Sequence, residues 1–309
     1  NNISDTSTLS DTNESETEEP QKTKSARRIG NSKKQKKWDW EATDLNQHIL
    51  PENQLLAKGE ACFATSPLKM LKTMFDDELI DLLTLESNRY RLKNRTKVKS
   101  ISANEMEVFL GICVYMSVVN IPFRRWYWSP STRQSVVADA MNVNRWEEIL
   151  SVLHVNDTDL EKKKGEPSYD RLQKVRPIIS HLNKNFAAVA EPEVFQCIDE
   201  QMVPFKGRHS LKVYMVKKPC KWGYKVWVRA GQSGFVHEVE LHGDNMKSDP
   251  SDCPAEIGES GRIVLRLSRS LPSGTYLFFD NFFASPKLLA HLKSNGLYAT
   301  CTLRKNRTE

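Results

Sequence analysis

Val194-Phe195-Gln196-Cys197-Ile198-Asp199-Glu200 and Tyr276-Leu277-Phe278-Phe279-Asp280-Asn281-Phe282-Phe283 are the two segments on which the reading of this chain turns. Each sets a lone carboxylate inside or at the end of an apolar, β-branched and aromatic run, the composition of a buried strand that delivers an acid to the edge of a sheet. A carboxylate beside that much apolar surface is costly unless a cation or a hydrogen-bond donor meets it. Two such strands lying side by side would bring both acids within reach of a shared divalent metal. Mg²⁺ is commonly held by one or two carboxylates, with substrate phosphate filling other positions. The competing reading makes Asp199 and Asp280 ordinary strand-end acids that cap backbone N–H groups or pair with Lys and Arg.

Outward from these segments, the apolar period divides the chain. Before Ala190 it is helical. Ser66-Pro67 has the form of an N-cap followed by a first-turn proline, and Ser102-Ala-Asn-Glu105 has the spacing of a capping box. The capping box precedes a helix that is apolar nearly all round and is therefore expected to be buried. Further helices are expected over Ser131 to Met141, from an N-cap at Asn144 through His154, and from Tyr169 to Ala190 with a kink at Pro177. After Ala190 the period becomes 2. Strands are expected at Val194–Met202, Trp222–Arg229, Phe235–Leu241, Thr275–Asp280 and Leu297–Leu303, with helices at Ile263–Leu271 and Ser285–Asn295. The expected fold class is α+β or α/β: an all-helical part, then a mixed sheet.

The first twenty residues are acidic and poor in apolar surface, which reads as a disordered tail. From Lys22 to Lys37 the sign reverses. Arg27, Arg28, Lys33, Lys34, Lys36 and Lys37 form a candidate nuclear-import signal or phosphate-binding arm, with a merely solvated tail as the bland alternative. The 309 residues are divided at this stage into a tail and linker over 1–60, a helical dimerisation or DNA-binding part over 61–190, and a sheet-bearing part over 191–309. No apolar run approaches the roughly 18 residues that span a bilayer. The six cysteines include no C-x-x-C pair, which argues against a zinc ribbon or disulfide scaffold. His237 and His242 are five apart, an odd spacing that puts them on opposite faces of a strand and argues against a metal site there.

Lys206, Arg208, Lys217, Lys218, Lys221 and Lys225 form a cationic stretch beside the first acid, and Arg304 and Lys305 stand near the end; such groups track a phosphate backbone without reading sequence. Ile198-Asp199-Glu200-Gln201-Met202-Val203-Pro204-Phe205-Lys206-Gly207-Arg208, Lys217-Lys218-Pro219-Cys220-Lys221-Trp222-Gly223-Tyr224-Lys225, Phe279-Asp280-Asn281-Phe282-Phe283 and Thr300-Cys301-Thr302-Leu303-Arg304-Lys305-Asn306-Arg307 closely resemble the catalytic-domain motifs of the piggyBac transposase family. Leu153–Asp157 and Lys174–Pro177 extend the resemblance into the helical part.

The resemblance implies an RNase H-like fold, a nuclear protein, DNA as partner, and DNA excision and joining on two Mg²⁺ ions held by three aspartates. Asp199 matches the first aspartate and Asp280 the second, as catalytic residues and metal ligands. The third, and a cysteine-rich zinc-binding tail, are expected beyond Glu309, so the chain by itself is expected to be inactive and a homodimer is left open. Two alternatives remain: a domesticated nuclear protein that binds DNA without cutting it, and an interaction module whose helical part dimerises. Glu200 falls on the opposite face from Asp199 and is expected to be non-catalytic.

Overall fold

The computed structural model describes residues 51–59, 66–216, 218–244, 246, 248–304 and 307. The acidic-then-basic tail, with Arg27, Arg28, Lys33, Lys34, Lys36 and Lys37, lies outside them, as do Lys217 and Lys305.

Helices come first: α1 (Pro67–Met74), α2 (Asp77–Lys93), α3 (Ala103–Val118), the short α4 (Ser135–Ala138), α5 (Val143–Val152) and α6 (Arg176–Val189). Their starts follow from side chains that take the free N–H groups of a first turn. Ser66 accepts from the Lys69 N–H and Asp76 from the Leu79 N–H, while Ser102 and Glu105 form the complete capping box. Leu79, Leu83, Met106, Phe109, Trp146 and Ile149 close the helical core. Each fully buried side chain of this size contributes on the order of 2 kcal/mol.

Four expectations need correction. The expected helix over Ser131–Met141 shrinks to α4, and Asn142 rather than Asn144 caps α5. Pro177 stands in the first turn of α6 and starts it instead of kinking it, because its missing N–H costs nothing there. α3 is not buried all round: Met106, Phe109 and Ile112 face the core, whereas Val108, Val114 and Val118 are exposed.

The sheet contains β1 (Phe195–Pro204), β2 (Val213–Tyr214), β3 (Trp222–Gly231), β4 (Val236–Leu241), β5 (Tyr276–Phe279) and β6 (Tyr298–Cys301), with α7 (Glu259–Ser268) and α8 (Pro286–Ser294) between the later strands. β1 is central. It pairs antiparallel with β3 on one side and parallel with β5 on the other, and β6 follows β5 in parallel. β4 and the unforeseen two-residue β2 both lie on the far edge of β3. One face of the sheet is packed: Ile198, Trp227, Leu277 and Phe279 meet Ile263, Val264 and Leu267 of α7, Phe283, and Leu288 and Leu292 of α8. The result is a helical part followed by an RNase H-like mixed sheet.

α6 joins the two parts. Its Asn183 donates to the Val239 carbonyl and accepts the Val239 N–H, both at 2.9 Å, so it satisfies the edge of β4 that β3 leaves free. Asn185 reaches back to the Met74 carbonyl and to Asp76. At the start of α6, Arg176 is gripped by Asp170 at 2.7 Å and by Asp244, nearly fully buried, at 2.6 Å.

Candidate active site

The pairing of β1 with β5 sets the site. Phe195 lies beside Tyr276, Gln196 beside Leu277, Cys197 beside Phe278 and Ile198 beside Phe279. The next position on each strand is an aspartate. Successive side chains leave a strand on opposite faces, and burial alternates accordingly. Ile198, Leu277 and Phe279 are in the core; Cys197, Asp199, Phe278 and Asp280 are exposed. Asp199 and Asp280 therefore leave neighbouring strands on the same open face, where β5 ends.

Both keep free oxygens. Asp280 Oδ1 accepts the Phe282 N–H at 2.7 Å, and among the described residues neither carboxylate is held in an ion pair. The structural acids of the chain differ sharply. Glu240 is locked by Arg266 at 2.8 Å, and Glu193, fully buried, accepts from Ser233 at 2.6 Å and from Asn53 at 2.8 Å. Open, hard oxygen donors on one face are the set that Mg²⁺ takes, so the pair fits such an ion as two of its ligands.

Two cations gather on the acid that follows Asp199. Lys218 Nζ lies 3.0 Å from Glu200 Oε1 and Lys225 Nζ 3.8 Å from Glu200 Oε2. The hydrogen bond to Glu200, reinforced by the charges of Glu200, Asp199 and Asp280, raises the pKa of Lys218. Burial lowers that of Lys225, against the pull of the same three acids. Glu200 is thus on the opposite face from Asp199, as alternation requires, and it gathers Lys218 and Lys225.

Beyond β5, Arg304 Nε donates to Asn281 Oδ1 at 3.0 Å, and Arg307 donates to the carbonyls of Asn281, Phe282 and Ala284 at 3.0–3.2 Å. Arg307 thereby fixes the turn that carries Asp280. Lys206, Arg208 and Lys221 are exposed on the adjoining hairpin and make no described contact with the two acids. Sequence reasoning missed the roles of Glu200 and Arg307. For Glu200 the signal was a second acid directly after Asp199 and ahead of a lysine-rich stretch; for Arg307 it was only the place of that residue in the Thr300–Arg307 motif.

Elsewhere, Asp76, Glu78 and His181 approach one another closely. Asp76 caps α2 and accepts from His181 at 2.8 Å and from Asn185, and Glu78 pairs with Lys184, so these groups act as a helix cap. His237 is buried 3.5 Å from Glu193, while His242 is exposed.

The family described as Transposase IS4 matches residues 66–309, a span that includes both acid-bearing strands. The chain belongs to the piggyBac transposase family. Human PiggyBac transposable element-derived protein 3 is 33% identical over 247 residues, 78% of this chain and 40% of that protein. Human PiggyBac transposable element-derived protein 2 is 31% identical over 276 residues, 87% of this chain and 43% of that protein. The chain thus spans less than half the length of these relatives. Among solved structures, the cryo-EM structure of the piggyBac transposase synaptic complex with hairpin DNA aligns with a TM-score of 0.71 at 20% identity. That alignment covers 82% of this chain and 54% of the other, and it shows a shared fold.

Proposed function

We propose that this region is the catalytic part of a piggyBac-like DNA transposase, in which Asp199 and Asp280 hold Mg²⁺ for DNA strand cleavage and transfer. The observation that carries the reading is the register of β1 with β5, which gives one face to two carboxylates that form no ion pair among the described residues. Membership of a transposase family and a fold shared with a protein solved on hairpin DNA support it.

Bound Mg²⁺ supplies the Lewis acidity that activates the attacking oxygen and stabilises the leaving one. Asp199 and Asp280 act as its ligands and need not carry a proton. The Phe282 N–H orients Asp280 by occupying Oδ1. Lys206, Arg208 and Lys221, exposed on the hairpin, hold backbone phosphates without reading bases, and Arg304 does so from the other side of Asp280. Lys217 and Lys305 belong to the same proposal by sequence alone. The basic run from Arg27 to Lys37 serves as the nuclear-import signal, and the assembled protein acts as a homodimer.

The test is a cleavage assay on the full-length protein. Asp199→Asn and Asp280→Asn each abolish strand cleavage while duplex binding stays within about twofold, since they remove ligands and not phosphate contacts. Retained cleavage in either variant refutes the assignment. A second reading, a derivative that binds DNA without cutting it, is favoured by the names of the relatives, which describe proteins derived from a transposable element. It predicts duplex binding and no cleavage even in the unmutated full-length protein.

A further inference from the structure

A cavity of about 350 Å³ lies where α6, β3, β4 and the end of α7 meet, within the size range of small-molecule sites. Arg229 forms part of its wall. Because Arg229 is paired with Ile198, its side chain leaves β3 on the face opposite to the one that carries Asp199. The cavity is thus no part of the acid site. Two buried side-chain nitrogens on residues of its lining, Arg229 Nε and His237 Nε2, find no hydrogen-bond partner. Folded proteins seldom leave such groups orphaned, so two of them at one cavity ask for a cause.

Arg229 is only 3% exposed, which makes the quality of its contacts decisive. Nη1 donates to Gln196 at 2.9 Å, but Nη2 reaches Glu238 and Ser270 at 3.3 and 3.4 Å. Charge-assisted bonds normally close to about 2.7–2.9 Å. Arg266, on the same lining, does so with Glu240 and Asp249, both at 2.8 Å. At Arg229, burial outweighs the loosely held Glu238 and lowers the pKa of the guanidinium. Arg269, an exposed residue of the lining, donates to the neutral carbonyl of Ser248 and pairs with no acid among the described residues.

We propose that this cavity binds a small phosphate-bearing molecule, with its oxygens against Arg229 Nη2 and Arg269 and the Ser270 hydroxyl as a further donor. Two cations without a full counter-charge favour an anion over a neutral ligand. The donors come from β3 and from the residues that follow α7, two directions that a tetrahedral oxyanion answers and a planar carboxylate does not. Glu238 is the acid of the lining and opposes the ligand. The site stands independently of the proposed function.

Calorimetric titration of the full chain with inorganic pyrophosphate, at fixed ionic strength and without divalent ion, tests it. Arg269→Gln alters an exposed side chain and weakens binding about tenfold. Glu238→Gln removes the opposing charge and tightens binding about fivefold. Lys163→Gln/Lys164→Gln, which removes two exposed cations of a distant loop, leaves the affinity within about twofold. A short DNA duplex added beforehand leaves it unchanged as well.

A parent chain that binds no pyrophosphate at millimolar concentration overturns the inference. So does an Arg269→Gln variant that matches the parent, an equal loss in the Lys163/Lys164 variant, or weaker binding by Glu238→Gln. Displacement of pyrophosphate by the duplex overturns it too, because the cavity then answers to a nucleic-acid backbone and not to a small ligand. None of these outcomes involves Asp199 or Asp280, so the failure of this site and the failure of the proposed function are told apart.

Discussion

Asp199 and Asp280 differ from the buried acids of this chain less in position along a strand than in what holds them. Asp170 and Asp244 close on Arg176, Glu240 on Arg266, and Glu193 on Ser233 and Asn53. A carboxylate so engaged has spent its lone pairs on the fold. The exposed pair has not. Arg307 belongs to the same scale, because three carbonyls of the turn behind Asp280 depend on its guanidinium. Arg307→Ala leaves those acceptors without their donor and costs about 1–3 kcal/mol. Hydrogen exchange should show the loss as faster exchange confined to residues 281–284, and an unchanged pattern there would remove Arg307 from its role.

At the scale of elements, edge chemistry carries more than length. Asn183 acts as a missing strand for β4 through a pair of 2.9 Å bonds. Asn183→Ala should lower stability by about 1–3 kcal/mol, since both Val239 backbone groups lose their partners. Ser102→Ala should cost about 1 kcal/mol through loss of the α3 cap. Thermal unfolding of the two variants checks both. Much of this level was legible in the sequence. The strands bearing Asp199 and Asp280 declared themselves through period-2 apolar runs, and the caps of α1 and α3 through Ser66 and the Ser102–Glu105 spacing. What stayed hidden depended on contacts across the chain. β2 is too short to show a period, and the exposed half of α3 reads the same as its buried half because Val108 and Val114 are as apolar as Phe109. The service of Glu200 to Lys218 and Lys225 required knowing where two lysines from another strand and its loop would fall.

For the whole molecule, pH dependence follows from groups that the fold perturbs. The fold depresses the pKa of His237, chiefly by burial and then by the charge of Arg229. A histidine easier to protonate when unfolded contributes stability that is complete above its unfolded value of about 6.5 and declines as pH falls below it. Asp170 is held low by Arg176, and Glu105 by Arg145. Burial pushes Glu193 upward, but hydrogen bonds from Ser233 and Asn53 outweigh it and leave the carboxyl low. Each of these acids stabilises the fold fully above its unfolded value of about 4 and ceases to do so as pH drops through the folded one. The melting temperature should therefore hold level between about pH 7 and 8, decline first below about 6.5 and then more steeply below about 4. Burial and the charge of Lys225 depress His242 in the same direction, so it shares the first decline; His237→Asn should blunt that decline and spare the second, and a first decline of undiminished size would assign it to His242.

Parity is the last consequence of β1 and β5 running level with each other. Insert one residue between Phe195 and Asp199, and the aspartate turns inward to face Leu277 and Phe279, while its counterpart still looks outward. Insert two, and it turns out again, one step further along. The spacing of the acid from the start of its strand is thus a heritable quantity in its own right, tolerant of changes in even numbers and intolerant of odd ones, whatever the intervening letters happen to be.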